Sequence, residues 1–332
     1  MASDLFLLEL ADTVPAPQLQ VNVFLAAVHL LLLEGAEHEL AMRYRSVCEL
    51  RGVAFHAADD DAIAAAFSSF CRAYREPIEA LCRVRATQTN EVGRCVVLRA
   101  VLGLLADRGD ASVGLLDLGC SAGLNLFVDA YGYDYGGHRA GDEGATPVLA
   151  CELRGAVPKT AIPRISARVG LDLSPIDVTD AEAARWLLAC LWPDDVARIE
   201  RLDAAIRVAA ANRSACTLVR GDMVDGLASA AAIAGGVDRL VVCNCWSAAY
   251  LPAVRRVALA DSLASLAATR PLTWVTMEHP GVALDLGVLG DVEMTTLGAS
   301  AVCVTEYVDG ERTSVLVAET HPHGAWLDWR SG

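Results

Sequence analysis

The chain has 332 residues, 54% of them hydrophobic, and a formal net charge of −15 at pH 7. That length allows one large or two medium domains with a sizeable core. Lys159 is the lone lysine and no basic run is present, which disfavours nucleic acid, a partner that demands cations to displace its counterions. No apolar run reaches the roughly 20 residues of a membrane span, and Met1-Ala2-Ser3-Asp4 lacks the basic start of a secretory leader. The expectation is a soluble, cytoplasmic protein with no membrane partner.

Residues 1–110 read as helical. Gln18 to Leu33 is apolar on most faces, and Ala36 to Val47 continues in helical register. Asp59-Asp60-Asp61 offers N-cap chemistry to a helix through Phe67 and Phe70, and Pro77 kinks or restarts it. Gln88 to Leu105 is a further helix with Val96, Val97, Leu98, Val101 and Leu105 on its apolar face. It opens with Gln88-Thr89-Asn90-Glu91-Val92-Gly93-Arg94, more polar than capping requires. Either these are solvated capping charges, or Asn90, Glu91 or Arg94 reach a ligand.

From Val113 the pattern becomes strand then helix, as in a parallel α/β sheet. Strands are expected at Val113 to Leu118, Val169 to Leu173, Cys216 to Asp222, Leu240 to Trp246 and Leu272 to Met277. Helices are expected at Leu124 to Ala130, at 179–212 broken near Trp192-Pro193, and at Leu251 to Ala268. Residues 132–163, with Tyr131, Tyr133, Tyr135 and a short strand Val148 to Leu153, read as an insertion. Ala301 to Tyr307 and Ser314 to Glu319 read as a closing antiparallel pair. The domains expected are a helical cap, 1–110, and an α/β domain, 111–332.

The stretch Asp117-Leu118-Gly119-Cys120-Ser121-Ala122-Gly123-Leu124-Asn125 admits two readings. One is a nucleotide-binding loop for S-adenosylmethionine (SAM), with Ser121 where a middle glycine usually sits. The other is the Gly-x-Ser-x-Gly elbow of an α/β serine hydrolase, with Ser121 attacking. A SAM-type site needs a small-residue turn after one strand and strand-end acids for the ribose and adenine. Asp117, Gly119, Ser121, Ala122, Gly123 and Asn125 supply the turn, Asp172 the ribose acid, and Asp222 with Met223 the third contact. The ribose acid usually lies about 20 residues beyond the loop. Asp172 lies further on, which the insertion accounts for; without an insertion, Glu152 is the rival. The hydrolase reading lacks the strands and oxyanion loop that should precede the elbow, so the SAM reading is preferred to it and to an inert packing turn.

Four stretches together resemble a known family. They are 88–94, 118–125, Gly170-Leu171-Asp172-Leu173-Ser174-Pro175-Ile176-Asp177-Val178, and the tail His321-Pro322-His323-Gly324-Ala325-Trp326-Leu327-Asp328-Trp329. They are similar to the largely actinobacterial proteins catalogued as domain of unknown function 2332. The resemblance covers nearly the whole chain. It implies a class I SAM-methyltransferase-like, Rossmann-like sheet with helices on both faces behind a helical N-terminal cap, and says little of the substrate.

Methyl transfer to oxygen or nitrogen depends chiefly on positioning, and a base is needed only when the acceptor is protonated. Acceptor-facing positions are the ends of the fourth and fifth strands: Asn244, Trp246 and Tyr250, then Glu278 and His279. Asn244, Asn90 and Arg94 are assigned to the cofactor. His279, Glu278 and Tyr250 are assigned to catalysis, His279 as general base unless His279-Pro280-Gly281 merely turns the chain. His321 and His323 alternate but are too few for a metal site, so no metal is expected. Eleven cysteines without a Cys-x-x-Cys pair suit reduced, buried thiols. The expected function is SAM-dependent methylation of a small molecule; the alternatives are the serine hydrolase and a non-catalytic SAM-binding protein.

Overall fold

A computed structural model describes residues 4–16, 18, 20–290, 293–308 and 311–330; Met1 to Ser3, read above for a leader, lie outside them. In chain order the helices are α1 (Leu5–Ala11), α2 (Gln20–Leu33), α3 (Arg45–Arg51), α4 (Asp60–Ala73), α5 (Arg75–Val84), α6 (Cys95–Asp107), α7 (Ala181–Ala189), α8 (Val196–Ala211), α9 (Leu227–Ile233), α10 (Ala253–Ala267) and α11 (Pro280–Asp285). The strands are β1 (Ser112–Leu118), β2 (Gly132–Tyr135), β3 (His138–Ala140), β4 (Val148–Gly155), β5 (Arg164–Asp172), β6 (Thr217–Arg220), β7 (Leu240–Cys245), β8 (Leu272–Glu278), β9 (Ser300–Val308), β10 (Glu311–Thr320) and β11 (Trp326–Trp329).

The chain divides into two compact units, one of residues 1–90 with 177–203 and one of 91–176 with 204–332. The division therefore falls at Asn90/Glu91 rather than near residue 110, and α6 belongs to the second unit. In the helical unit, Asp59 caps α4 by accepting from Ala62 N at 2.8 Å. Pro77 sits in the first turn of α5, where its missing N–H costs nothing. The helix expected over Ala36 to Val47 is instead a 3-10 segment, Glu39–Arg43, and then α3. The core of this unit gathers Phe24, Leu30, Leu40, Phe70 and Ile78 with Trp186. His29 is buried between Ala189 O (3.1 Å) and Ser46 Oγ (2.8 Å), and burial drives its imidazole down to about 4.

The second unit is mixed α/β, built on one sheet in the order β3-β2-β4-β11-β10-β9-β8-β7-β1-β5-β6. From β6 to β8 the strands run parallel, and β9 and β10 close antiparallel onto β8. Strands buried on both faces need near-continuous apolar runs, which Leu115-Leu116, Leu240 to Cys243 and Trp274-Val275 supply; all of these are buried. One core cluster joins Leu116, Leu118, Val242 and Trp274 to α9, α10 and α11. Residues 132–163 form the excursion β2-β3-β4, which extends the sheet's far edge through β11. Tyr131, Tyr133 and Tyr135 pack inside it, their hydroxyls donating to Leu124 O (2.8 Å), Val128 O (2.5 Å) and Val96 O (2.8 Å). Among the described residues no helix is long and apolar enough to cross a membrane.

Candidate functional site

After β1 and the β2–β4 excursion the chain lays β5 and β6 on one side of β1, then crosses to β7 and β8 on the other. The order of the parallel strands therefore reverses between β1 and β7. In open α/β sheets, ligands bind outside the carboxyl ends at such a reversal. The loop after β1 lies there, with Gly119 (φ 73°), Ser121 (φ 49°) and Gly123 (φ 69°) all left-handed. Ser121 thus adopts the conformation that its expected glycine would have, at a cost of about 1–2 kcal/mol. The other left-handed non-glycine residue among those described is Trp246 (φ 58°), directly after β7. Such outliers persist only where the surroundings hold them, and they gather at functional sites.

Packing explains the flanking glycines. A Cβ on Gly119 would lie 2.3 Å from Ser247 Cβ, and one on Gly123 would lie 2.7 Å from Leu218 Cδ2. Ser247 Oγ donates to Leu118 O at 2.6 Å, which stitches the loops after β1 and β7 together. Met223 Cε comes within 3.6 Å of the same Gly119 position. Beyond Gly123 the expected helix over Leu124 to Ala130 is only a 3-10 turn, Leu124–Phe127. The row of free amides at a helix start is therefore not available, and any ligand contact falls to side chains and single amides.

Two strand-end acids meet this loop. Asp117 is buried; Cys243 Sγ donates to its Oδ1 at 3.5 Å and Asn125 Nδ2 to its Oδ2 at 3.3 Å. Burial pushes its carboxyl up to about 7, against the pull of those bonds. Asp172, ending β5, accepts from Ser121 N (2.8 Å) and Ser174 N (2.7 Å), so it braces the left-handed turn. Glu152 is remote, since β4 is separated from β1 by β11, β10, β9, β8 and β7; it pairs with Arg154 at 2.8 Å. Asp222 is turned away to Arg255 Nη2 (2.5 Å) and to the N–H groups of Val224 and Asp225. Burial raises its carboxyl, but these bonds win and hold it below the usual range.

At the ends of β7 and β8 the side chains divide between burial and rim. Asn244 is fully buried, accepting from Trp274 Nε1 (2.7 Å) and donating to Glu278 Oε1 (2.8 Å). Both ends of its amide are committed, so it holds Glu278 instead of meeting a ligand as expected. Glu278 Oε1 also accepts from Ser247 N (3.0 Å) and Ala248 N (2.9 Å). Its Oε2 is buried with no hydrogen-bond partner among the described residues, and burial raises the carboxyl to about 7. Strand register pairs Asp117 with Cys243 and Asn244 with Thr276, placing the Asp117 and Glu278 carboxyls on opposite faces of the sheet.

Glu278 and His279, both assigned to catalysis, are placed apart, the first buried and the second exposed. His279 points outward, and its Nδ1 accepts from Gly281 N at 3.1 Å, capping α11. The Nδ1 lone pair is thereby engaged in the cap, and Nε2 is the ring nitrogen turned away from it. His279 instead lies edge-on to Trp246, ring centroids 6.5 Å apart, while Tyr250 is 78% exposed.

Two motifs that stand 228 residues apart meet here. Arg94 is buried, donating from Nε to Pro322 O (3.0 Å) and from Nη1 to Cys245 O (2.9 Å). A Cβ on Gly93 would lie 2.3 Å from His323 O, and one on Gly324 only 2.1 Å from Gly93 O, so both glycines are required by backbone contact. Glu91 Oε1 accepts from Gly93 N at 2.9 Å. Asn90 falls in the helical unit. His321 and His323 sit in a turn, not an extended segment, yet their rings lie edge-on with centroids 5.5 Å apart and His323 N donates to His321 Nδ1 at 3.1 Å. Among the described residues no group of three or more His, Cys, Asp or Glu is placed to hold a metal ion. The eleven cysteines are free thiols.

The structure thus gathers Asp117, Gly119, Ser121, Ala122, Gly123, Asn125, Asp172 and Met223 about one loop. Arg94, Asn244 and Glu278 are packed at the neighbouring strand ends. Ser247, which sequence reasoning passed over, is the stitch between the loops; its only signal was its place just after a predicted strand.

Residues 2–329 match the family described as "Uncharacterized protein conserved in bacteria (DUF2332)". No curated protein matches the chain. Among solved structures, an S-adenosylmethionine-dependent methyltransferase from Clostridium acetobutylicum ATCC 824 is similar at 11% identity and a TM-score of 0.30. That alignment covers 75% of this chain and 79% of the other.

Proposed function

The chain belongs to this family, and we propose from its site that it is a SAM-dependent methyltransferase acting on a small-molecule acceptor. The observation that carries this reading is the pair of left-handed residues, Ser121 and Trp246, ending adjacent strands at the point where strand order reverses. On this reading the parallel strands are a class I, Rossmann-like SAM-binding sheet. The donor set fits the cofactor: Asp172, half-buried, is a carboxylate suited to a ribose hydroxyl or a cationic amino group, Asp117 backs the loop from the interior, and Met223 offers an apolar contact against the loop. Bound there, SAM supplies an electrophilic methyl group.

The chain's own contribution is positioning. Asp172 fixes Ser121 through its N–H. Asn125 and Cys243 fix Asp117, and Asn244 with two backbone amides fixes Glu278. Trp246, Tyr250 and His279 form an aromatic rim for the acceptor. Titration calorimetry with SAM and S-adenosylhomocysteine tests the reading; absence of binding by both at millimolar concentration overturns it.

The left-handed φ of Ser121 also suits a hydrolase elbow. Against it, a triad histidine must donate from Nδ1 and accept at Nε2, whereas Nδ1 of both His279 and His321 is an acceptor. Fluorophosphonate labelling that disappears in Ser121→Ala would favour the hydrolase.

A further inference from the structure

The opposite edge of the sheet, where the parallel strands begin, carries a feature that methyl transfer does not use. A cavity of about 620 Å³ opens there, lined by Arg108, Arg239, Arg270, Glu306 and Tyr307 together with Ala267, Pro271 and Val308. The volume is in the range of small-molecule sites. Chain topology assembles it from four places: Arg108 follows α6, Arg239 precedes β7, Arg270 and Pro271 join α10 to β8, and residues 306–308 end β9. β9 runs antiparallel to β8, with Thr273 opposite Glu306, which brings the end of β9 to this edge.

The charges of the lining do not cancel. Three guanidinium groups face one carboxylate, in a chain whose net charge is −15. Arg108 Nη1 donates to Glu306 Oε2 at 2.8 Å. Arg239 is tied from Nε to Asp110 Oδ1 (3.0 Å) and from Nη1 to Thr273 Oγ1 (3.2 Å), leaving Nη2 without a partner among the described residues. Arg270 meets no carboxylate among them; its Nη1 and Nη2 donate to Ala231 O (3.0 Å) and Gly235 O (2.9 Å). Tyr307 Oη is buried and has no hydrogen-bond partner among the described residues. Counting Asp110 with Glu306, three guanidinium groups stand against two carboxylates, Arg270 being tied to carbonyls at the end of α9. A planar guanidinium is built to match an oxyanion.

We propose that this cavity binds a small organic oxyanion, a carboxylate or phosphate carried on a compact apolar body. Arg239 and Arg108 take the anionic group, and Ala267, Pro271 and Val308 take the apolar part. Glu306 competes with the ligand for Arg108 and so weakens the site.

Titration calorimetry with inorganic phosphate, at ionic strength held constant with chloride, tests this on the full chain. Saturable binding of one phosphate per chain is expected, about tenfold weaker in Arg239→Gln. Glu306→Gln keeps the surface shape but frees Arg108, and should tighten binding by about threefold or more, which no purely structural role for these residues would do. Circular dichroism identifies a variant that fails to fold, and Glu306→Gln then decides alone. No saturable heat, or an affinity indifferent to Glu306→Gln, overturns the proposal. Neither result bears on SAM binding at the other edge.

Discussion

Replacing Asp117 with asparagine should remove one component of the pH dependence of stability. The Asp117 side chain is 1% exposed, and burial lifts its carboxyl from 3.8 to about 7. The unfolded chain ionises it near the ordinary value, so between about pH 4 and pH 7 the unfolded state holds fewer protons than the folded one. Stability therefore falls as pH rises through that window. The contribution is complete below the unfolded value and is lost as pH passes the folded one. From pH 5 to pH 8 the loss comes to about 2–3 kcal/mol. The asparagine has no proton to lose and keeps an oxygen that can accept from Cys243 or Asn125. Glu278, raised in the same direction, and His29, lowered to about 4 with the opposite effect below neutrality, act alike in both proteins and cancel in the difference. Denaturant unfolding of wild type and Asp117→Asn at pH 5, 6.5 and 8 measures it. The difference should shift by 2–3 kcal/mol toward relatively greater stability of the variant at high pH. Parallel pH curves would refute burial as the cause.

Gly119→Ala meets both a left-handed backbone and Ser247 Cβ at 2.3 Å, so a loss of about 2 kcal/mol or more is expected by denaturant unfolding; a neutral variant would mean that the β1 and β7 loops are not in contact. Glu278→Ala strands the Asn244 amide and the Ser247 and Ala248 N–H groups, an expected cost of about 3 kcal/mol or more. Glu278→Gln keeps an accepting oxygen and should be far milder, and equal losses in the two variants would contradict the hydrogen-bonding role. Ser121→Gly relieves the turn but loosens the unfolded chain; the two effects nearly offset, to within about 1 kcal/mol, whereas a β-branched residue, Ser121→Val, should lower the melting temperature clearly.

What the sequence reveals most directly is the strand framework. β1, β7 and β8 are largely apolar and carry a polar residue, Asp117, Asn244 or Glu278, at or next to their last position, and their expected and observed limits differ by about one residue. The helix over Leu124 to Ala130 misleads because Asn125, Phe127, Val128 and Asp129 are weak helix formers and side chains claim its carbonyls: Tyr131 Oη and Arg168 Nη1 donate to Leu124 O and Leu126 O, which a helix would have used. Asn244 and His279 look exposed to a ligand in sequence, yet Trp274 and Gly281 claim them, and neither partner is legible from local spacing. The meeting of Gly93 with Gly324 depends on close backbone approach across the chain, for which the glycines themselves are the only local sign. Asp172 was legible as a strand-end acid, but its use in bracing Ser121 was not.

Hydrogen–deuterium exchange during a SAM titration tests the central claim most directly, because it reports both binding and place. Saturable protection is expected in peptides spanning 117–125, 170–175 and 244–250, with none at 267–271 on the opposite edge. SAM that leaves the β1 and β7 loops unprotected at saturating concentration, or protects other segments instead, would contradict it.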